Sequence, residues 1–315
     1  MLSLLNHCSG PRGRITSLFP AAALVLSACA SDAAGPAVSK RTPSDLAGGL
    51  VFESDRDGNL ELYAMSQNGG EPFRLTYNPA TDASPHVSSD GRTILFAANR
   101  EGDGTHFDVF VMAIDGSGPV NLTRSSASDI QAQWSPDGHR IVFVSGRHGN
   151  LDIFSMRADG TDVRRLTVDP ARDMHPTWLP DGTRIGFVSD RDGQFDVWTM
   201  NTSGGDLMKV LGGRDSDLSP AWSPDGTRIV FARRHLRDGT FDLYLVHADG
   251  SNPVNLTNSQ ARETSPAWSH DGGRIAYVGR GTGSSDIFVM DADGSNVVNL
   301  TRSPGADLAA AWIPE

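Results

Sequence analysis

The 315-residue chain carries 27 Lys and Arg against 38 Asp and Glu, a formal charge of −11; this balance argues against general affinity for nucleic acid or anionic lipid surfaces and favours cationic ligands or basic partners. With 38% hydrophobic residues, 34 Gly and 18 Pro, it is too apolar for a disordered chain and too rich in turn formers for a multispanning one. The length is ample for a large core, and one all-β ring accounts for it as well as two domains do.

At the amino terminus, Arg12 and Arg14 precede the apolar run SLFPAAALVLSA, and residues 1–28 contain no acid. This is the layout of a secretion signal, and the run is too short, and too interrupted by Pro20, to read as a membrane span. It ends in LSAC, Leu26 to Cys29, which resembles the bacterial lipobox and implies that Cys29 is lipidated and becomes the first mature residue. Cys8 leaves with the signal, so no thiol is expected in the folded part. Loss of the two arginines leaves 25 basic against 38 acidic residues, a mature charge of −13. Residues 29–48, including ASDAAGPAVSKRTPSDLAG, lack hydrophobic periodicity and read as a flexible tether.

From residue 49 to 315 the chain repeats itself. Val87, Trp134, Trp178, Trp222, Trp268 and Trp312 recur at steps of 47, 44, 44, 46 and 44 residues, the signature of a modular array. Each copy holds four short β-type segments, A to D. In the copy from 176 these are PTW, RIGFVS, FDVWTM and the VL of 210–211, which stands where other copies have LT. Between A and B lies a Ser- or Leu-Pro-Asp-Gly turn such as SPDG, with a preset φ, a side-chain acceptor and a residue that tolerates positive φ. The β-branched and aromatic alternation of RIVFVS and LDIFSM is a strand signal, with no comparable helical stripe.

The first B segment, LVFES at 50, has no A before it, and the last A, AAAW at 309–312, has no B after it. Six four-stranded blades therefore close into an all-β, six-bladed β-propeller, the carboxy-terminal strand completing the amino-terminal blade and protecting the free edges. WSPDGTRIVF, DIFVMDADG and VNLT resemble the TolB-type propeller repeat (a PD40, WD40-like repeat) across residues 50–312. The resemblance implies an envelope binding scaffold whose partner is a protein or peptide, another lipoprotein among the candidates. The chain departs from TolB itself in having a short tether where that protein carries an additional amino-terminal α/β domain. Lipid anchorage facing the periplasm is expected, with Ala30 and Ser31 after the cysteine favouring the outer membrane.

Strand alternation puts the D-to-A and B-to-C connections on one face, where the loops vary: SDRDGN, NREGDGTH, GRHGN, RRHLRDGT and GRGTGSS. Such variation on a constant frame suits binding. Five residues before each Trp position stands an acid: Asp82, Asp129, Asp173, Asp217, Glu263 and Asp307. All six are expected near the mouth of the central channel and are assigned as its binding residues, for a cation or a lysine, the alternative being that each caps a turn or bonds its neighbour's backbone. A second series, Glu61, Asp108, Asp152, Asp196, Asp242 and Asp286, opens strand C and reads as structural. DADGSN resembles only part of a calcium loop. No G-x-S-x-G, compact His pair or Cys pair occurs, so no catalytic residue, metal or cofactor is assigned. His106, His148 and His235 fall on the variable loops, and His86 and His175 on A strands. The alternative is an envelope hydrolase or lyase using a metal in the channel.

Overall fold

The computed structural model describes residues 46–315 except 102, 103, 260, 281 and 282. The expected signal peptide, Cys29 and nearly all of the expected tether lie outside the described residues. Leu46 is already buried, packed with Val51 and Phe96.

Among the described residues all regular structure is strand. Blade 1 contains β1 (Leu50–Ser54), β2 (Glu61–Met65) and β3 (Phe73–Arg74), and blade 2 contains β4 (Asp82–Val87), β5 (Thr93–Ala98), β6 (Asp108–Ala113) and β7 (Val120–Asn121). Blade 3 follows with β8 (Asp129–Trp134), β9 (Arg140–Ser145), β10 (Asp152–Arg157) and β11 (Arg164–Arg165), and blade 4 with β12 (Asp173–Trp178), β13 (Arg184–Ser189), β14 (Asp196–Asn201) and β15 (Met208–Leu211). Blade 5 has β16 (Ser216–Trp222), β17 (Arg228–Arg234), β18 (Phe241–His247) and β19 (Val254–Asn255). Blade 6 has β20 (Thr264–Trp268), β21 (Arg274–Arg280), β22 (Ser285–Asp291) and β23 (Val298–Asn299), and β24 (Asp307–Trp312) pairs with β1 to give the order β24-β1-β2-β3.

The A strands are longer than expected, beginning at or next to the acid, and three D strands, β7, β19 and β23, are Val-Asn where the sequence suggested the Leu-Thr that follows. That shift has a cause. Asn121 Nδ2 and Thr123 Oγ1 donate to the carboxylate of Asp108 at 2.9 and 3.0 Å, and Asn299 does the same for Asp286 at 2.8 Å. The Asn-Leu-Thr triplets are thus clasps that hold the outer strand to the C strand. Arg74, Arg165 and Lys209 replace the Asn in pairing Glu61, Asp152 and Asp196.

The second strand of each blade is buried on both sides, as in β9 from Ile141 to Ser145, because each blade is sandwiched between two others. The cores lie between blades. Val142, Val144 and Ile153 of blade 3 pack with Trp178, Ile185 and Phe187 of blade 4. Gly186 permits one such approach, since a Cβ there would lie 2.3 Å from the Trp222 ring. Blade 1 packs on blade 2 through Val51 and Leu62 and on blade 6 through Leu50, Phe52 and Trp312, so the circle closes. Trp312 Nε1 also donates to the Ala267 carbonyl at 3.0 Å.

Turn chemistry follows the sequence. In SPDG, Ser135 Oγ donates to Asp137 at 2.6 Å and accepts the Arg140 N–H at 2.9 Å, while Gly138 takes φ 71°. In the C-to-D turns Asp159, Asp249 and Asp293 each accept an N–H at 2.9 Å and a hydroxyl at 2.6 Å from the residue two further on. Their carboxylates are committed to the turn.

Candidate functional site

Each of the six repeated acids sits where the first strand of its blade starts, and each is buried, Asp82, Asp129, Asp173, Asp217 and Asp307 at 0% exposure and Glu263 at 5%. Five meet an arginine of their own blade. Asp82 accepts from Arg100 Nε at 2.9 Å, Asp129 from Arg147 at 2.8 Å, Asp173 from Arg191 at 3.0 Å and Asp307 from Arg56 at 2.9 Å. Asp217 takes a two-pronged pair from Arg233 at 2.7 and 2.9 Å, the strongest geometry for such a contact.

The arginines are positioned by local sequence. In Ser-x-Arg, the hydroxyls of Ser54, Ser145 and Ser189 accept Nε of Arg56, Arg147 and Arg191 at 2.8, 2.8 and 2.9 Å. All five guanidiniums also lie 4.8 to 5.6 Å over aromatic rings, such as Phe143 and Phe154 beneath Arg147. Acid, cation and aromatic pair form one unit that ties the first strand to the root of the B-to-C loop. Burial pushes the carboxyls of Asp82, Asp129, Asp173 and Asp217 up, against the downward pull of their arginines. Five of the six acids meet arginines of their own blades, and none of the six is among the residues that line the axial cavity.

Two residues after each acid the backbone turns left-handed. Ser84, Gln131, His175, Ser219, Ser265 and Ala309 have φ between 41° and 54°, and the pairing of each first strand slips there, as between Ile130 and Gln133. Non-glycine residues at positive φ carry strain, and strain gathers at functional positions. These bulges ring an axial cavity of about 440 Å³ that extends to the A-to-B turns at Pro136, Pro224 and His270. Proline and tryptophan side chains form much of its wall. Polar groups meet within it: the His175 N–H donates to Gln131 Oε1 at 2.9 Å, and the Ser219 hydroxyl lies 3.4 Å from His175 Nδ1. Surrounding protein pushes the half-buried imidazoles of His86 and His175 down to about 4, His270 adding to the effect on His86. Both are neutral near pH 7.

Glu53 was not anticipated. It stands in β1 where the other blades have Ala or Val, and its Oε1 accepts the strained Ser84 N–H at 2.6 Å. Burial pushes it up to about 7, with that hydrogen bond opposing.

Residues 130–235 and 213–315 match the family described as the TolB beta propeller domain, PD40. The chain belongs to this family. A 61-residue segment is 36% identical to the Tol-Pal system protein TolB of Desulfosudis oleivorans, covering 19% of this chain and 14% of that protein. The alignment thus spans a small part of that relative's length. The crystal structure of TolB from Acinetobacter baumannii superposes with a TM-score of 0.76 at 20% identity, over 86% of this chain and 68% of that one. Oligogalacturonate lyase from Vibrio parahaemolyticus gives 0.56 at 16% identity, over 82% and 75%. At these identities the structures attest the fold.

In this TolB-type propeller the histidines have local tasks. His148 stacks on Phe154 at 5.9 Å, His235 lies between Asp215 and Asp242 at 3.3 and 3.1 Å, and His86 Nδ1 accepts the Trp134 N–H at 3.3 Å. Among the described residues no three His, Cys, Asp or Glu side chains converge as metal ligands. The bulge residues, two positions after each acid, carry no common side chain that spacing alone would single out.

Proposed function

We propose that this TolB-type propeller is a binding scaffold of a bacterial cell envelope, held to a membrane by lipid on Cys29, facing the periplasm and engaging a protein or peptide partner through its channel mouth and variable loops. The axial cavity carries this reading. It is concave, walled by Pro and Trp, and has a few convergent polar groups at the bulges, the character of a recognition site. His86 and His175 in its wall are neutral near pH 7 and poor proton acceptors, which favours binding over acid–base chemistry. The name of the Desulfosudis relative, a Tol-Pal system protein, supports a place in an envelope assembly, and the acidic charge suits a partner with basic patches. Five of the six repeated acids act as positioning residues that hold the loop roots.

The test is site-specific photocrosslinking in the native envelope. A photoreactive residue at Gln133 on the cavity wall or at Leu236 on a variable loop is expected to capture a partner, and one at Val254 on the outer edge is not. Cys29→Ser is expected to release the protein into the soluble fraction. Capture from Val254 alone contradicts the reading.

A further inference from the structure

Blade 6 breaks the rule of the other five. Where blades 1 to 4 read Ser-Asp-Arg, Ala-Asn-Arg, Ser-Gly-Arg and Ser-Asp-Arg, and blade 5 reads Arg233-Arg234-His235 with its arginine at the serine position, blade 6 reads Gly279-Arg280-Gly281. Gly279 pairs with Asp286 as Ser145 pairs with Asp152, so both the serine and the arginine of the unit are missing from the sequence. The remaining parts are present. Glu263 occupies the acid position, its Oε1 accepting from Ser259 Oγ at 2.5 Å, and Tyr277 and Phe288 stack with centroids 5.5 Å apart.

Among the described residues no cation pairs with Glu263. Arg280 Nε points to the Gly283 carbonyl at 3.5 Å, and Arg262 lies over Phe241 at 4.5 Å. Glu263 is 95% buried by its 5% exposure, and its Oε2 makes no hydrogen bond. One oxygen of Asp129, Asp173 and Asp307 is likewise unbonded, but each of those carboxylates has its arginine. Glu263 also lies close enough to Tyr277 to add to the burial that pushes the phenol up to about 12. The strand register brings the carboxylate and the ring pair together as in blade 3: Thr264, next to the acid, pairs with Val278 and Tyr277 with Phe288, as Ile130 pairs with Val144 and Phe143 with Phe154. Phe288 remains partly exposed, and the acid is one methylene longer than the aspartates it replaces.

We propose that Glu263, Tyr277 and Phe288 form a receptor for a guanidinium group, the arginine side chain of a partner protein supplying in trans what the other blades supply in cis. A guanidinium satisfies both demands, forking onto a carboxylate and stacking on an aromatic face. The partner-binding reading enters only as the source of the arginine. The receptor itself is tested with a small probe, so failure of one leaves the other standing.

The probe is N-acetyl-Gly-Arg-Gly-amide, with its citrulline counterpart as neutral isostere, titrated into the mature propeller at about 0.15 M salt to suppress unspecific attraction to the acidic surface. Amide chemical shifts are expected to move at Thr264, Gly279 and Phe288 with the arginine peptide. Binding should weaken roughly tenfold for citrulline and for Glu263→Gln, which keeps shape and removes charge. Phe288→Leu, which preserves apolar volume, should weaken it severalfold. Equal binding of the two peptides, equal binding by Glu263→Gln, or shifts confined to other blades overturns the proposal. Proper folding of each variant is read from the unshifted amides of blade 3.

Discussion

Blades 3 and 6 are built on the same four strands, yet they treat one carboxylate in opposite ways. In blade 3, Asp129 is covered by Arg147, which lies over Phe143 and Phe154; in blade 6, Glu263 and the Tyr277–Phe288 pair keep their places without a partner cation among the described residues. A repeated position is thus part of the frame wherever its partner is encoded nearby, and a candidate for recognition where it is not. Buried ion pairs add little net stability, but removing one partner is costly because the other charge stays desolvated. That asymmetry makes the comparison breakable by single substitutions.

The largest effect is expected at the closure, where blade 1 borrows its first strand and blade 3 does not. Trp312 is 5% exposed, bonds the Ala267 carbonyl and lies under Arg274 at 5.0 Å. Trp312→Ala should cost about 5 kcal/mol, the upper end for a buried aromatic, because a cavity and a lost hydrogen bond coincide. Hydrogen exchange should rise first in residues 50–65. Unchanged protection there would mean that the ring does not depend on this strand.

Next comes Arg147→Ala, which takes from blade 3 the cation that Glu263 lacks among the described residues of blade 6. Asp129 is left buried without a cation, at a cost of about 3 kcal/mol, softened by water entering beside a side chain that was itself 26% exposed. Millimolar ethylguanidinium should restore part of the loss, and ethylurea, its neutral analogue, should not. Equal rescue by both would separate the unit from its charge.

A smaller effect is expected at Glu53, which stands where blade 3 has Val144. Its folded-state value near 7 lies above the ordinary 4.5, so between those values the folded state holds a proton that the unfolded chain has released. Its contribution is therefore present in acid and lost as the pH rises through about 7. Glu53→Gln retains an oxygen for the Ser84 N–H and should stabilise the protein above that range by about 2 kcal/mol, with little change below pH 4.5. His86 and His175 act oppositely: their values near 4 make stability fall as the pH drops from about 6.5 towards 4. Denaturant midpoints across this range separate the two trends.

How far the sequence went follows from what repeats. The blade count, the closure and the turns were legible because each rests on local chemistry recurring at a fixed period. The six acids were found by the same periodicity, but not their partners, since an ion pair spans a strand and a loop whose residues differ in name from blade to blade. In blade 5 Arg233 does the work from the serine position, with Arg234 and His235 following, and this disguises the common Arg. The bulges were hidden because Ser84, Gln131, His175 and Ala309 share a backbone conformation and no side-chain chemistry. Glu53 was hidden because a single acid in a strand of Val and Ala looks like surface alternation until both blade faces are seen to be covered.

Whether the sixth acid stands apart from the frame is read by comparing, on one denaturant scale, Asp129→Asn, Asp173→Asn and Asp217→Asn with Glu263→Gln. Each aspartate variant leaves an arginine without its charge partner and should lose about 1–3 kcal/mol. Glu263→Gln should change stability by less than about 1 kcal/mol, because it relieves a desolvated charge and preserves an acceptor for Ser259. A Glu263→Gln loss as large as those of the aspartate variants would contradict the account, since the sixth acid would then be frame like the rest.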